Sequence, residues 1–248
     1  MYSKIAAVSW LVSAVAAHGT VSGIVADGVY YKGYNPSFQY ETPAPVVVGW
    51  SIPKDLDNGF IAPNNFGTAD VICHVGATPG QTSAPVKAGG KVVVQWTPTP
   101  WPVSHKGPVI DYLAKCPGTC ETVDKTTLKW FKIDAVGLID NSISNGRWAT
   151  DDLIASNNSW AVTIPASIAP GNYVLRHEII ALHAAGSANG AQDYPQCVNL
   201  AISGSGTATP TGTLATSFYT ASDPGILFDI YSTHTSYPIP GPALYTGA

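Results

Sequence analysis

The sequence predicts an all-β protein, an antiparallel β-sandwich of the immunoglobulin or fibronectin kind, with long loops that form a flat face. Three observations carry this expectation. Short apolar or alternating runs recur along the chain, Pro, Gly and Asn bound each of them, and no stretch keeps a helical period of useful length.

In chain order the strand-like runs are PVVVGWSI at 45–52, ADVICHV at 69–75, GKVVVQWTP at 90–98 and LKWFKIDAVGL at 128–138. They are rich in the β-branched and aromatic residues that suit a pleated, half-buried surface. The stretch 159–183 predicts two further strands across the turn Ala169-Pro170-Gly171, and PQCVNLAISG at 195–204 predicts another. Between these runs, 26–44, 53–68 and 184–193 read as long loops, the kind of segment that carries function on a rigid scaffold. The Thr/Ser/Gly-rich stretch 203–217 reads as an internal loop, because PGILFDIY at 224–231 resumes a strand pattern after it.

The first 17 residues have the parts of an export signal: Lys4, an apolar run, and small residues at its end. Cleavage after Ala16 or after Ala17 satisfies the small-residue rule, and the second makes His18 the first residue of the mature chain. No later run approaches the roughly 18 unbroken apolar residues of a membrane span. The expectation is a secreted, extracellular protein in which 18–248 forms a single catalytic domain with no separate carbohydrate-binding module.

Twelve Lys and Arg against sixteen Asp and Glu give a net charge of −4, which becomes −5 when Lys4 leaves with the signal. That balance argues against nucleic acid as a partner. Only 11% of residues are charged, while the chain holds 24 Gly, 20 Pro, 7 Trp and 12 Tyr, a composition suited to a rigid, loop-rich protein with a neutral partner. Sugars are the neutral polar ligands whose faces stack on aromatic rings.

All four cysteines fall in the mature part, so an oxidising compartment favours two disulfides, for which three connectivities are open. The turn sequence enclosed by Cys116 and Cys120 favours a local bridge, leaving Cys73 and Cys197 as a long staple. Asn157 heads an Asn-Asn-Ser sequon and is the expected glycosylation site.

Six histidines, at 18, 74, 105, 177, 183 and 234, are the groups from which chemistry has to come if the protein is an enzyme. HEIIALH at 177–183 is no zinc-protease motif, since its histidines are six apart on a strand pattern rather than four apart on a helix. An N-terminal histidine, however, can chelate a metal through its α-amine and its ring Nδ1 together. A third nitrogen completes a planar set suited to tetragonal Cu(II), and His105 in a Pro-rich stretch is the candidate donor.

The blocks HGTV at 18–21, QWTPTPWPVSHKGPVIDYLAKC at 95–116, VDKTTLKWFKI at 123–133, GNYVLRHEIIALH at 171–183, GAQDYPQCVNLAISG at 190–204 and SYPIPGPALYTG at 236–247 follow in the order seen in one family. In these blocks the chain resembles the fungal cellulose-active lytic polysaccharide monooxygenases, auxiliary activity family 9. The resemblance implies one copper ion, with His18 and His105 as the arms of a histidine brace and Tyr194 as the axial ligand. It implies that His183 and Gln192 hydrogen-bond an oxygen species beside the metal, and that Tyr194 shares in that catalytic group. It also implies the bridges Cys73–Cys197 and Cys116–Cys120, methylation of the His18 ring at Nε2 in a filamentous fungus, and a sugar-stacking role for Tyr237 and Tyr40. The activity implied is oxidative cleavage of the β-1,4-glucan chains of cellulose at C1, at C4 or at both by a monomer, using an external electron donor and O2 or H2O2, with no membrane partner.

Two other readings compete with this one. A carbohydrate-binding sandwich accounts for the aromatics but not for the cut before His18. A zinc hydrolase lacks a well-placed carboxylate base. A glycosidase needs two carboxyls at roughly 5–9.5 Å, and none of Asp111, Asp151, Asp152, Glu178 and Asp193 forms an arguable pair from sequence.

Overall fold

A computed structural model describes residues 19–97 and 100–247. Eleven strands are present among them: β1 (Thr20–Ala26), β2 (Val29–Lys32), β3 (Ala84–Lys87), β4 (Lys91–Thr97), β5 (Val109–Lys115), β6 (Trp130–Val136), β7 (Leu138–Asp140), β8 (Arg147–Trp148), β9 (Ser159–Thr163), β10 (Gly171–Ala181) and β11 (Gln192–Ser203). Two short helices, α1 (Asp70–Cys73) and α2 (Ala149–Ala155), and several single 3-10 turns complete the set.

A four-stranded sheet in the order β2-β1-β4-β9 packs on a five-stranded sheet in the order β3-β11-β10-β5-β6. All pairings are antiparallel except β3 with β11, so the expected wholly antiparallel sandwich carries one parallel edge strand. Between the sheets lies one apolar core, to which Ile24, Val94, Leu113, Leu175 and Leu200 contribute. A second core covers the outer face of the five-stranded sheet, where α1 and the C-terminal segment supply Ile72, Phe218 and Ile226. The five-stranded sheet is therefore the middle layer, which explains why β10 is buried on both faces along most of its length.

Several expected elements differ. The 45–52 run makes only two isolated bridges, at Gly49 and Ser51, and 69–75 folds as α1 followed by His74 at φ +88°. The 26–44 loop contains β2 and a 3-10 turn, Pro36–Tyr40. At 224–231 the expected alternation is real, with Ile226, Phe228 and Ile230 buried and Leu227 and Tyr231 exposed. The backbone there is nevertheless a series of turns, since Ile226 and Leu227 both donate to the Asp223 carbonyl instead of to a neighbouring strand. Alternating burial needs only one covered face, whereas a strand needs a partner ladder.

Both disulfides form as the sequence and the resemblance suggested, Cys73–Cys197 joining α1 to β11 and Cys116–Cys120 closing a short loop. Asn157 is exposed in a tight turn at φ +59°. No helix among the described residues is long and apolar enough to cross a membrane.

Candidate metal centre

Strand register builds the centre. Residues of β5 and β10 pair so that Val109 faces Ile179 and Leu113 faces Leu175. The chain keeps this register beyond β5, because Ile180 donates to the Pro108 carbonyl and Leu182 to the Lys106 carbonyl at 3.2 and 2.8 Å. Continuing it by one more step brings His105 opposite His183, and the two imidazoles lie 3.9 Å apart between centroids, 30° from parallel. Gly107 permits the close approach, since a Cβ there would sit 1.9 Å from the Ile180 carbonyl oxygen.

β11 brings the remaining groups from the other side of β10. Ile179 pairs with Tyr194 and Ala181 with Gln192, so Tyr194 and Gln192 project from one strand face beside His183. The Tyr194 hydroxyl donates to Gln192 Oε1 at 2.7 Å. Burial, with the Asp193 and Asp55 carboxylates adding to it, pushes the Tyr194 phenol far above its ordinary value and keeps it protonated.

Trp101 is the wedge that sequence reading missed. Its ring stands edge-on to His105 at 5.9 Å and to Tyr194 at 5.1 Å, and its Nε1–H donates to the His105 carbonyl at 2.9 Å. Behind it lies Trp96 at 5.3 Å, whose Nε1–H donates to His177 Nε2, while His177 Nδ1 meets the buried Asp111 carboxylate at 2.8 Å. Ser104 Oγ lies 3.1 Å from His105 Nδ1, so a proton on Nδ1 leaves the Nε2 lone pair as the donor. A Trp between two Pro residues just before a candidate ligand was the available signal.

The 53–68 loop closes one flank. Ile61 and Asp193 exchange backbone hydrogen bonds, and the Phe60 ring lies 6.0 Å from Tyr194. On the opposite flank Tyr231, 62% exposed, donates its hydroxyl to the His183 carbonyl at 3.1 Å. Tyr237, expected at the sugar face, is instead half-buried between Trp148 and Phe228 at 4.9 and 5.0 Å, with its hydroxyl donated to the Gly225 carbonyl. A tyrosine spent on packing presents little face to a ligand, and Tyr231 is the exposed ring of that segment. Tyr40 is 77% exposed at the end of its 3-10 turn.

His18 lies outside the described residues. Its neighbour Gly19 packs so closely on Thr97 that a Cβ would sit 2.7 Å from the Thr97 carbonyl, and Thr20 pairs with Thr97. β1 thus begins at the end of β4 from which the chain runs on to His105. Among the described residues no three His, Cys, Asp or Glu side chains could hold a metal ion. The donors they do offer, one oriented imidazole and one neutral phenol, fit a copper site completed by further nitrogens better than a zinc site.

The carboxylates do not form a glycosidase pair. Glu178 and Asp193 both meet Arg176, but all three are completely buried. Asp151 is paired with Lys106 at 2.8 Å and Asp152 with Arg147 at 3.4 Å.

The model of auxiliary activity family 9, formerly glycoside hydrolase family 61, matches residues 18–237. The chain belongs to auxiliary activity family 9. It is 72% identical over its whole length to the family 9 lytic polysaccharide monooxygenase I of Botryotinia fuckeliana, covering 92% of that protein. It is 60% identical to monooxygenase A of Malbranchea cinnamomea over 96% of this chain and 70% of the relative. Among solved structures, the extended catalytic domain of H. jecorina LPMO9A superimposes with a TM-score of 0.88 at 55% identity, covering 93% of this chain and 92% of that one. A cellulose-active polysaccharide monooxygenase from M. thermophila superimposes with a TM-score of 0.79 at 31% identity, over 93% of this chain and all of that one. Family 9 members are copper-dependent oxidoreductases that cleave polysaccharides oxidatively, and fungal members are secreted.

Proposed function

We propose that the mature chain begins at His18 and oxidatively cleaves the β-1,4-glucan chains of cellulose at a single copper ion. The observation that supports this most is the placement of His105: a buried imidazole, fixed by strand register beside Tyr194 and His183, at the end of the sandwich where Gly19 packs on Thr97.

In this reading the α-amine and Nδ1 of His18 and the Nε2 of His105 would hold the copper, and the Tyr194 phenol would add a weak neutral ligand. Copper bound there would supply the one-electron chemistry with O2 or H2O2 that neither a carboxylate nor an imidazole can perform. Everything else falls to the chain. Trp101 and Ser104 keep the His105 ring from rotating, so the donor nitrogen is held in one position. Gln192 uses its carbonyl oxygen to accept from Tyr194, which leaves its amide N–H groups to donate toward an oxygen species. His183, stacked on His105, is the adjoining group that can give or take a proton. Tyr231 and Tyr40 offer exposed rings to glucosyl faces, and an external reductant delivers the electrons.

The test is to compare a form starting at His18 with one retaining a single extra residue, each start confirmed by N-terminal sequencing. The extension turns the amine into a non-basic amide, so the expected result is much weaker Cu(II) binding and no oxidised oligosaccharides from cellulose with ascorbate. Equal activity of the two forms would sink the brace.

A further inference from the structure

Pro100 and Pro102 flank Trp101, and neither has a main-chain N–H. The Trp101 amide is therefore the one backbone donor that residues 100–102 can offer just ahead of His105. It donates to the side-chain Oδ1 of Asn158 at 3.0 Å.

The β4–β9 ladder explains why that side chain is in place. It pairs Gln95 with Ser159, and one step further the Trp96 amide donates to the Asn158 carbonyl at 2.9 Å. Past that point Pro100 and Pro102 have no amide with which to continue a ladder, and the Asn158 carboxamide serves as the acceptor for Trp101. Asn157 and Asn158 stand at φ +59° and +56°, a left-handed region that asparagine tolerates better than most side chains. Gln95 Nε2 donates to both of their carbonyls, at 2.8 and 3.2 Å, so β4 holds this turn as well.

We propose that Asn158 is a positioning residue of the metal centre: its side chain fixes Trp101, and through Trp101 the direction in which His105 presents Nε2. The inference rests on the function proposed above, in which His105 is a copper ligand.

The path from Asn158 to the imidazole is short. Trp101 is buried, and its indole N–H closes the 101–105 turn on the His105 carbonyl while the His105 amide closes it on the Pro102 carbonyl, each at 2.9 Å. A turn tied to itself in this way moves as one body. Behind His105 that body is anchored by the Leu182 amide on the Lys106 carbonyl at 2.8 Å, and in front of it by Asn158. Released at the front, it can pivot about the rear anchor, carrying the His105 ring and the Trp101 edge that meets Tyr194 at 5.1 Å. Metal geometry responds to sub-ångström shifts of a ligand.

Protein starting at His18 should be compared as wild type, Asn158→Gly, Asn158→Asp and Gln95→Met. Glycine suits the left-handed backbone but offers no acceptor, aspartate keeps Oδ1, and the Gln95 change loosens the same turn while leaving the Trp101 bond in place. All three keep the Asn-x-Ser pattern at Asn157. In the metal-free protein the Trp101 amide of Asn158→Gly should exchange with solvent at least ~10-fold faster than in wild type, and that of the other two variants should not. Asn158→Gly should also bind Cu(II) about 10-fold more weakly by calorimetry, with an altered paramagnetic resonance spectrum. Asn158→Asp should restore both, and Gln95→Met should lower Tm without changing either.

Wild-type copper affinity and spectrum in Asn158→Gly overturn the inference. An equal change in Gln95→Met does so too, since it would mark a general loosening of the turn, and so does a failure of Asn158→Asp to restore the wild-type values. If the wild-type protein itself binds no Cu(II), the proposed function falls together with the inference, whereas a failure confined to the variants leaves that function standing.

Discussion

His105 and His183 occupy opposite positions in one strand register, and their rings stack at 3.9 Å although β5 begins four residues after His105 and β10 ends two before His183. Antiparallel pairing that outlasts the named strands thus fixes the geometry of the centre. It sets two imidazoles side by side, the two to which the proposed function gives the metal and the oxygen species.

Removing the first imidazole should be felt as a loss of metal. His105→Ala is expected to weaken Cu(II) binding by more than ~10²-fold and to abolish oxidative cleavage, since it deletes a nitrogen donor rather than a supporting contact. Calorimetric titration checks it, and unchanged affinity would take His105 out of the site.

Tyr194→Phe should behave differently. The phenol is held protonated by burial and would be at most a weak neutral ligand, so the variant is expected to keep Cu(II) within ~10-fold of the wild-type affinity. Loss of the bond to Gln192 Oε1 frees that amide to turn, which should lower turnover ~10-fold or more and change the Cu(II) paramagnetic resonance spectrum. An identical spectrum in the two proteins would show that the phenol does not approach the metal.

The two disulfides should differ in worth. Cys73–Cys197 closes a separation of 124 residues and Cys116–Cys120 one of 4. By loop entropy the long bridge contributes about 3–5 kcal/mol and the short one clearly less. Paired Cys→Ala variants in a denaturant titration should show this order, and equal losses would mean that unfolded-state entropy is not the governing effect.

His74 makes a pH prediction. Its imidazole is buried against the Gly59 carbonyl, and burial outweighs the attraction of Asp55, Asp70 and Asp57, holding it below its ordinary value. The unfolded imidazole takes up a proton below about pH 6.5, whereas the folded one resists. More protons are then bound in the unfolded state, so stability is lost as pH falls through this window and is unaffected above it. The stability advantage of the wild-type protein over His74→Gln should therefore shrink from about pH 7 to about pH 5. A constant advantage would show that folding does not lower the proton affinity of His74.

Much of this could be read from residue types. The Val-rich run before Pro98 became β4, the turn Ala169-Pro170-Gly171 leads into β10 after β9, and all of 195–204 but its last residue lies in β11. Yet β9 and β10 entered different sheets, a choice that no local signal carries because both strands have apolar faces to bury. Tyr237 and Tyr231 show the same limit at the surface. Both are tyrosines of the C-terminal segment, but Trp148 and Phe228 enclose one and leave the other exposed.

What the sequence determined by itself was the chemistry on offer: an export-signal pattern that can be cut before a histidine, a second histidine in a Pro-rich stretch, four cysteines, and Gln192 and Tyr194 two apart on one strand face. These depend on residue type and short-range periodicity, which survive in one dimension. Only the tertiary structure decided that His105 stands over His183 and that Trp101 separates His105 from Tyr194. Each of those follows from register between segments about 80 to 100 residues apart, or from which face a neighbouring element covers. Such facts arise from packing against the rest of the molecule, and no window of the chain contains them.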